Sequence, residues 1–327
     1  MNISARKSYT VLFLLLVFSS IAITSCRRRH VSEREREETK RKAEVTKAKA
    51  LISSIKGIHY TEVKRTFDNG LSFSPVGYQL IPEWRISFPS DDSVNIYSPK
   101  KNKFLNTPVV FDHDSIYNVA WAWLKLKYIK KDSIQFMVLH VDGRVISDEK
   151  VHAYMTFYTN DYIKNTLHSD TANFWKPSRR DTDYITKKSL AANKTLDSAF
   201  AGTTPPSLKA KTPLITVKKE IVHDGDVNGG MLFDNYLSPT YNITIHHAYT
   251  DFYYSYTAFL DDKGKITFRK SMVPLNYLSK EGADAYIAAM KGITDGYLKL
   301  YLEVTPAITL GIPHSSIIFL NVTGTKK

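Results

Sequence analysis

The chain has 327 residues, 43% of them hydrophobic and 12% aromatic, with formal net charge +13 and a single cysteine. One thiol excludes an internal disulfide and any zinc site built on several cysteines. The charge is uneven: residues 1–57 hold thirteen Lys and Arg against five Glu, and residues 58–327 hold 32 basic against 27 acidic side chains. A nucleic-acid partner would need a basic stripe on the folded part, and the folded part is nearly balanced, so nucleic acid is not expected.

Arg6 and Lys7 precede an apolar run, Val11 to Ile23, broken only by Ser19 and Ser20. This is the basic and apolar order of a secretory signal, and the run is short for a permanent span, which needs roughly 20 apolar residues. The segment Ile23-Thr24-Ser25-Cys26 follows. It resembles the lipobox of bacterial lipoproteins, and the resemblance implies that residues 1–25 are a signal peptide and that Cys26 becomes the lipidated first residue of the mature chain. Membrane attachment through Cys26, palmitate on that cysteine and a cell-envelope location are what it implies. Arg27, where some double-membrane bacteria use aspartate for inner-membrane retention, points by similarity to the outer membrane. The alternative is an uncut anchor facing the cytoplasm, which Arg27, Arg28, Arg29, Arg34 and Arg36 favour by the positive-inside rule.

Residues 26–57 read as a basic helical stalk. From Ser32 to Ile55 there is no Gly or Pro, and Glu, Lys, Arg and Ala dominate. Ser32 with Glu35 makes a capping box, Glu37–Arg41 and Glu38–Lys42 are spaced i to i+4, and Gly57 is a stop signal. Apolar content is low until Ala48, Leu51, Ile52 and Ile55, so most of the helix is expected to be solvated.

Beyond the stalk the predicted fold class is α+β, mainly antiparallel sheet with few helices. A β-rich domain is expected over 58–177, with strands at 117–129, 133–146 and 150–158 rich in β-branched and aromatic residues. Val119, Trp121 and Trp123 fall on one face of the first. Residues 178–213, rich in Ser, Thr, Lys, Ala and Pro, read as a linker with a short helix at Ser189–Ala201 ended by Gly202 and Pro205-Pro206. An α+β domain over 214–327 follows, with strands at 214–222, 240–247, 252–271, 297–304 and 316–322. Asp261-Asp-Lys-Gly264 is the hairpin turn, and a helix from the Ser279 cap to Gly292 completes it. The order hairpin turn, helix, Pro306-Ala307, Gly311-Ile-Pro313 and a last strand is faintly similar to the C-terminal domain of TonB-family energy transducers. Val304-Thr305 stand where that family usually has tryptophan, and convergent hairpin patterning accounts for the same order.

Three clusters invite chemistry. Asp224, Asp226 and Asn228, followed by Gly229, match the first half of a calcium loop, since hard calcium takes six to eight oxygens. The twelfth position is Asn235 instead of a bidentate Glu, and an Asn-Gly turn between strands is the simpler account. Calcium is thus the one cofactor considered. Asp112, His113 and Asp114 gather carboxylates and an imidazole in a polar turn. The run Tyr249–Phe259 offers Tyr253, Tyr254 and Tyr256 as a recognition surface, because tyrosine supplies area and a hydroxyl at small entropic cost. None of the G-x-S-x-G, H-E-x-x-H, P-loop or dinucleotide motifs occurs. The expected function is therefore non-enzymatic binding or scaffolding of another envelope component, protein or glycan; the competing class is an envelope hydrolase whose acid and base meet only in the fold.

Overall fold

The computed structural model describes residues 33–142, 145–147, 152–221 and 236–326. The chain divides into two units, the first comprising residues to Lys64 with Glu83–Thr171, the second Arg65–Pro82 with Ala172–Lys327. It is β-rich with a minority of helix, as the sequence leads one to expect of an α+β chain.

The first unit is a closed eight-stranded barrel. Its strands are β1 (His59–Phe67), β2 (Arg85–Ser90), β3 (Ser93–Ser98), β4 (Lys103–Phe111), β5 (Ile116–Val119), β6 (Ala122–Ile129), β7 (Ser133–Val138) and β10 (Ala153–Thr159). The sequence meanders from each strand to its neighbour, and β10 closes against β1. A small hairpin, β8 (His140–Asp142) with β9 (Val145–Ser147), is inserted before the last strand. Closure removes the exposed edges that an open sheet would present. A barrel of eight strands has an interior that side chains fill, and here Phe88, Val94, Leu124, Ile134, Phe136 and Phe157 are fully buried in one cluster. Tyr60 joins them, and its hydroxyl donates to the carbonyls of Lys130 and Lys131, both at 3.0 Å, fixing the β6–β7 turn. Burial raises the Tyr60 pKa, with Asp132 adding to the rise.

A helix over residues 33–53, α1, precedes the barrel, and its two ends differ. Residues 33–43 are all exposed, and Glu38 pairs with Lys42 at 3.0 Å. Ala48, Ile52 and Ile55 are buried in the barrel cluster with Leu51 packed beside them. Ala48, Ile52 and Ile55 are thus core, and the stop follows at Gly57, left-handed at φ +75° and donating its N–H to the Phe88 carbonyl at 2.9 Å.

The stretch 117–129 is two strands, not one. β5 and β6 meet in a two-residue turn with Val119 opposite Ala122, and both turn residues, Ala120 (φ 49°) and Trp121 (φ 66°), are left-handed. That backbone is the primed hairpin turn usually written with Asn-Gly; Ala-Trp carries none of that chemistry, so the hydrophobic pattern reads straight through. Trp121 is consequently 77% exposed at a hairpin tip.

In the second unit, residues 178–213 hold structure in place of a linker. Helix α3 spans Arg179–Lys194, following the short α2 (Thr171–Trp175). It starts ten residues before the expected helix because Ser178 caps it: the Ser178 hydroxyl accepts from the Asp181 N–H, and the Asp181 carboxylate accepts from the Ser178 N–H at 2.9 Å. Aspartate fills the role that Glu usually has in this reciprocal cap, and its second oxygen accepts from the Ser72 N–H at 2.7 Å. Ile185, Ala192, Phe200 and Phe73 make a small core. Gly77 (φ +93°) lies so close to the Ala201 carbonyl that a Cβ would collide with it.

Beside that core His314 is fully buried, its ring stacked on Phe200 at 3.7 Å. With Nδ1 protonated it donates to the Ser315 carbonyl (3.1 Å), and Nε2 accepts from the Thr309 hydroxyl (2.9 Å). Desolvation lowers its pKa to about 4, against the smaller upward pull of the Ser315 carbonyl, and Lys188 lowers it further.

The principal sheet has five strands: β12 (Ile215–Lys219), β13 (Thr240–His246), β19 (Ser316–Thr325), β14 (Phe252–Leu260) and β15 (Ile266–Ser271), in that spatial order. Only β13 and β19 run parallel. The remaining strands are β11 (Ser207–Ala210) with β16 (Leu302–Thr305), and the hairpin β17 (Ala307–Thr309) with β18 (Ile312–His314). Helix α4, Lys280–Gly292, begins at the expected Ser279 cap, which accepts from the Gly282 N–H at 3.2 Å, and continues through a widened turn, Ile293–Leu298, towards β16. Its Met290, with Leu298, packs on Ile243, Tyr256, Leu320 and Val322. Burying such side chains contributes about 1.5–3 kcal/mol each.

Candidate functional site

Alternation along the strands leaves the second face of this sheet polar. In β19, Ile318, Leu320 and Val322 are fully buried while Phe319, Asn321 and Thr323 are half-buried between them. Register then aligns like with like across three strands. Asn242 of β13 lies opposite Asn321, which lies opposite Ser255 of β14; the next row is Thr244, Thr323 and Tyr253.

The first row is hydrogen-bonded end to end. The Asn321 amide nitrogen donates to the Asn242 side-chain oxygen at 3.0 Å, and the Asn321 oxygen accepts from Ser255 (2.8 Å) and from the Tyr253 hydroxyl (3.3 Å). At the outer end of the next row, on β12, the Thr216 hydroxyl pairs with His246 Nε2 at 2.8 Å. Such mutual bonds hold the amides and hydroxyls in fixed orientation, so a ligand does not have to order them. Towards the other end of the face stand Phe319 and Phe259, the latter with the Arg269 guanidinium 5.4 Å from its ring centre. The surface therefore grades from aromatic and cationic to amide and hydroxyl.

Of the tyrosines named from sequence, Tyr253 alone is on this face and is 56% exposed. Tyr254 points to the helix side and packs edge-on against Tyr286 at 4.9 Å. Tyr256 is fully buried, with its hydroxyl 2.9 Å from that of Thr294, and desolvation pushes its pKa up to about 12. It has no surface to offer a partner. Of the three tyrosines, Tyr253 is the one exposed on this face, beside Asn242, Asn321 and Ser255. The signal for them is a polar residue at every second place in "YNITIH" and "FLNVT": Asn in the interior of a strand otherwise built of apolar alternation.

Cys26, Asp224, Asp226 and Asn228 lie outside the described residues. The Asp112 carboxylate and His113 Nδ1 meet at 2.6 Å, both side chains exposed, and Asp114 is left-handed at φ 50°. Among the described residues no group of three or more His, Cys, Asp and Glu is placed to hold a metal ion, and no helix is long and apolar enough to cross a membrane. No family model, no curated protein and no solved structure matches the chain.

Proposed function

We propose that the chain is a lipid-anchored protein of the bacterial cell envelope, held through Cys26 at the outer membrane, and that it acts without catalysis by binding an envelope glycan on the open face of its five-stranded sheet. The observation that carries the glycan reading is the pre-ordered Asn242–Asn321–Ser255 row beside exposed Tyr253. Planar amides and hydroxyls match the alternating donors and acceptors of a sugar, and an aromatic ring matches its apolar face.

The anchor rests on the order of basic residues, short apolar run and lipobox cysteine. Two or three acyl chains would hold firmly where one is marginal, and arginines next to Cys26 suit anionic headgroups at about 1 kcal/mol each. The exposed part of α1, residues 33–43, serves as spacer and rises about 16 Å at 1.5 Å per residue.

Retention of the detergent-solubilised protein on purified cell-wall glycan tests the reading. Replacing Asn242 and Asn321 together by Leu removes two net hydrogen bonds of about 1 kcal/mol each, so affinity should fall by roughly 10- to 30-fold. Equal retention of both proteins, or of neither, refutes it. Palmitate labelling that persists in Cys26→Ser refutes the anchor.

A further inference from the structure

The five-stranded sheet ends in β15, whose outer side has no neighbouring strand among the described residues. Alongside that edge runs a groove of about 570 Å³. One wall is β15 itself, with Phe268, and the segment continuing from it through Met272 and Leu275; the other is α4, which contributes Ile287. Met272 is 49% exposed, a large apolar side chain left partly in water at the mouth. Among the described residues the charged members of the lining are Arg269 and Lys270, both cations, and no acidic side chain lines it.

We infer that this groove binds an extended, acidic peptide segment, which adds to β15 as a sixth strand. An open strand edge beside a helix meets an extended chain in two ways at once. Backbone groups on the edge continue the ladder, while every second side chain of the guest enters the groove. The volume falls within the range of ordinary ligand sites, and the apolar lining calls for aliphatic guest side chains. Arg269, whose guanidinium lies over the Phe259 ring, and Lys270, opposite Thr257, ask for carboxylates at the guest's alternate positions, those that do not enter the groove. The same two residues argue against a second copy of this chain as occupant, because antiparallel pairing of two β15 edges would set these cations against one another, and like charges across strands destabilise.

The edge also carries a register shift, between Thr257 and Ala258 of β14, where Arg269 is the extra residue on β15. Bulges and basic residues on edge strands keep unwanted strands away. Here they select: a neutral or basic strand is rejected at Arg269 and Lys270, whereas an acidic one is attracted.

The test uses the full chain in detergent and a fluorescein-labelled, end-blocked peptide alternating Val and Glu over eight residues, followed by anisotropy and by hydrogen exchange at β15. Saturable binding is expected, with slower exchange of the 266–271 amides. Charge reversal, Arg269→Glu with Lys270→Glu, should weaken it at least tenfold. So should Lys in place of Glu in the peptide, or N-methylation of alternate peptide nitrogens, which removes the ladder donors. Asn242→Leu with Asn321→Leu should leave it unchanged, which separates this groove from the glycan face. No binding at millimolar peptide, equal binding of the N-methylated peptide, or self-association through β15 that the charge reversal does not weaken would each overturn the inference.

Discussion

Replacing Trp121 by Gly should stabilise the barrel, although it deletes a large hydrophobic residue. Trp121 sits at φ 66° in the β5–β6 turn and is 77% exposed, so its indole has little packing to lose. A non-glycine residue held in the left-handed region costs about 1–2 kcal/mol. Glycine relieves that cost and adds back roughly 0.5 kcal/mol in freedom of the unfolded chain, leaving a net gain of about 1 kcal/mol. For a unit of this size the gain corresponds to a rise of about 2–4 °C in Tm. Scanning calorimetry of the full chain measures it, the barrel transition being the one that Ile52→Ala lowers. Trp121→Ala is the control: it removes the indole but keeps the left-handed backbone on a residue with a Cβ, so its Tm should stay close to that of the parent. If the Gly variant melts no higher than the Ala variant, the turn is not strained and the reasoning fails.

Ile52 is 1% exposed in the barrel cluster, so Ile52→Ala should cost about 2–5 kcal/mol in urea unfolding; a loss under 1 kcal/mol would show that the end of α1 is spacer and not core. His314 makes stability depend on pH. Its folded pKa of about 4 lies below the 6.5 of the unfolded chain, so between those values only the unfolded state binds the proton. Stability is full above pH 6.5 and falls as pH drops through the window, by up to about 3 kcal/mol near pH 4. His314→Gln should remove this component from urea melts at pH 7.5 and 4.5, and identical pH dependence in the two proteins would refute it.

Local chemistry carried much of the fold. The Ser279 cap and the Asp261–Gly264 turn are decided within a few residues, and each occurs where the sequence places it. Where local chemistry is silent or ambiguous, long-range contacts set the element bounds. Ala120-Trp121 turns without Asn or Gly because pairing on both flanking strands enforces a backbone those residues would not choose. α3 begins at Ser178 because an aspartate completes the cap and also reaches Ser72, a residue more than a hundred positions earlier.

The sites divide along the same line. The proposed lipobox is a linear signal, read by residues in sequence order, so the proposal for Cys26 needs no fold. The alternation in the strands already separated Tyr253 from Tyr254 and Tyr256, because successive strand residues point to opposite faces. Which face would be covered depends on where α4 packs, and nothing in the tyrosine run encodes that. Likewise Asn242, Asn321 and Ser255 stand far apart in the chain and become one row only through the parallel pairing of β13 with β19 and the antiparallel pairing of β14 with β19. The sequence by itself determined the composition of each strand face, the helix caps and the candidate anchor. Tertiary structure alone decided closure of the barrel, the burial of Ala48, Ile52 and Ile55, and the open edge at β15, since these follow from contacts between segments distant in the chain, whose free energy no local window contains.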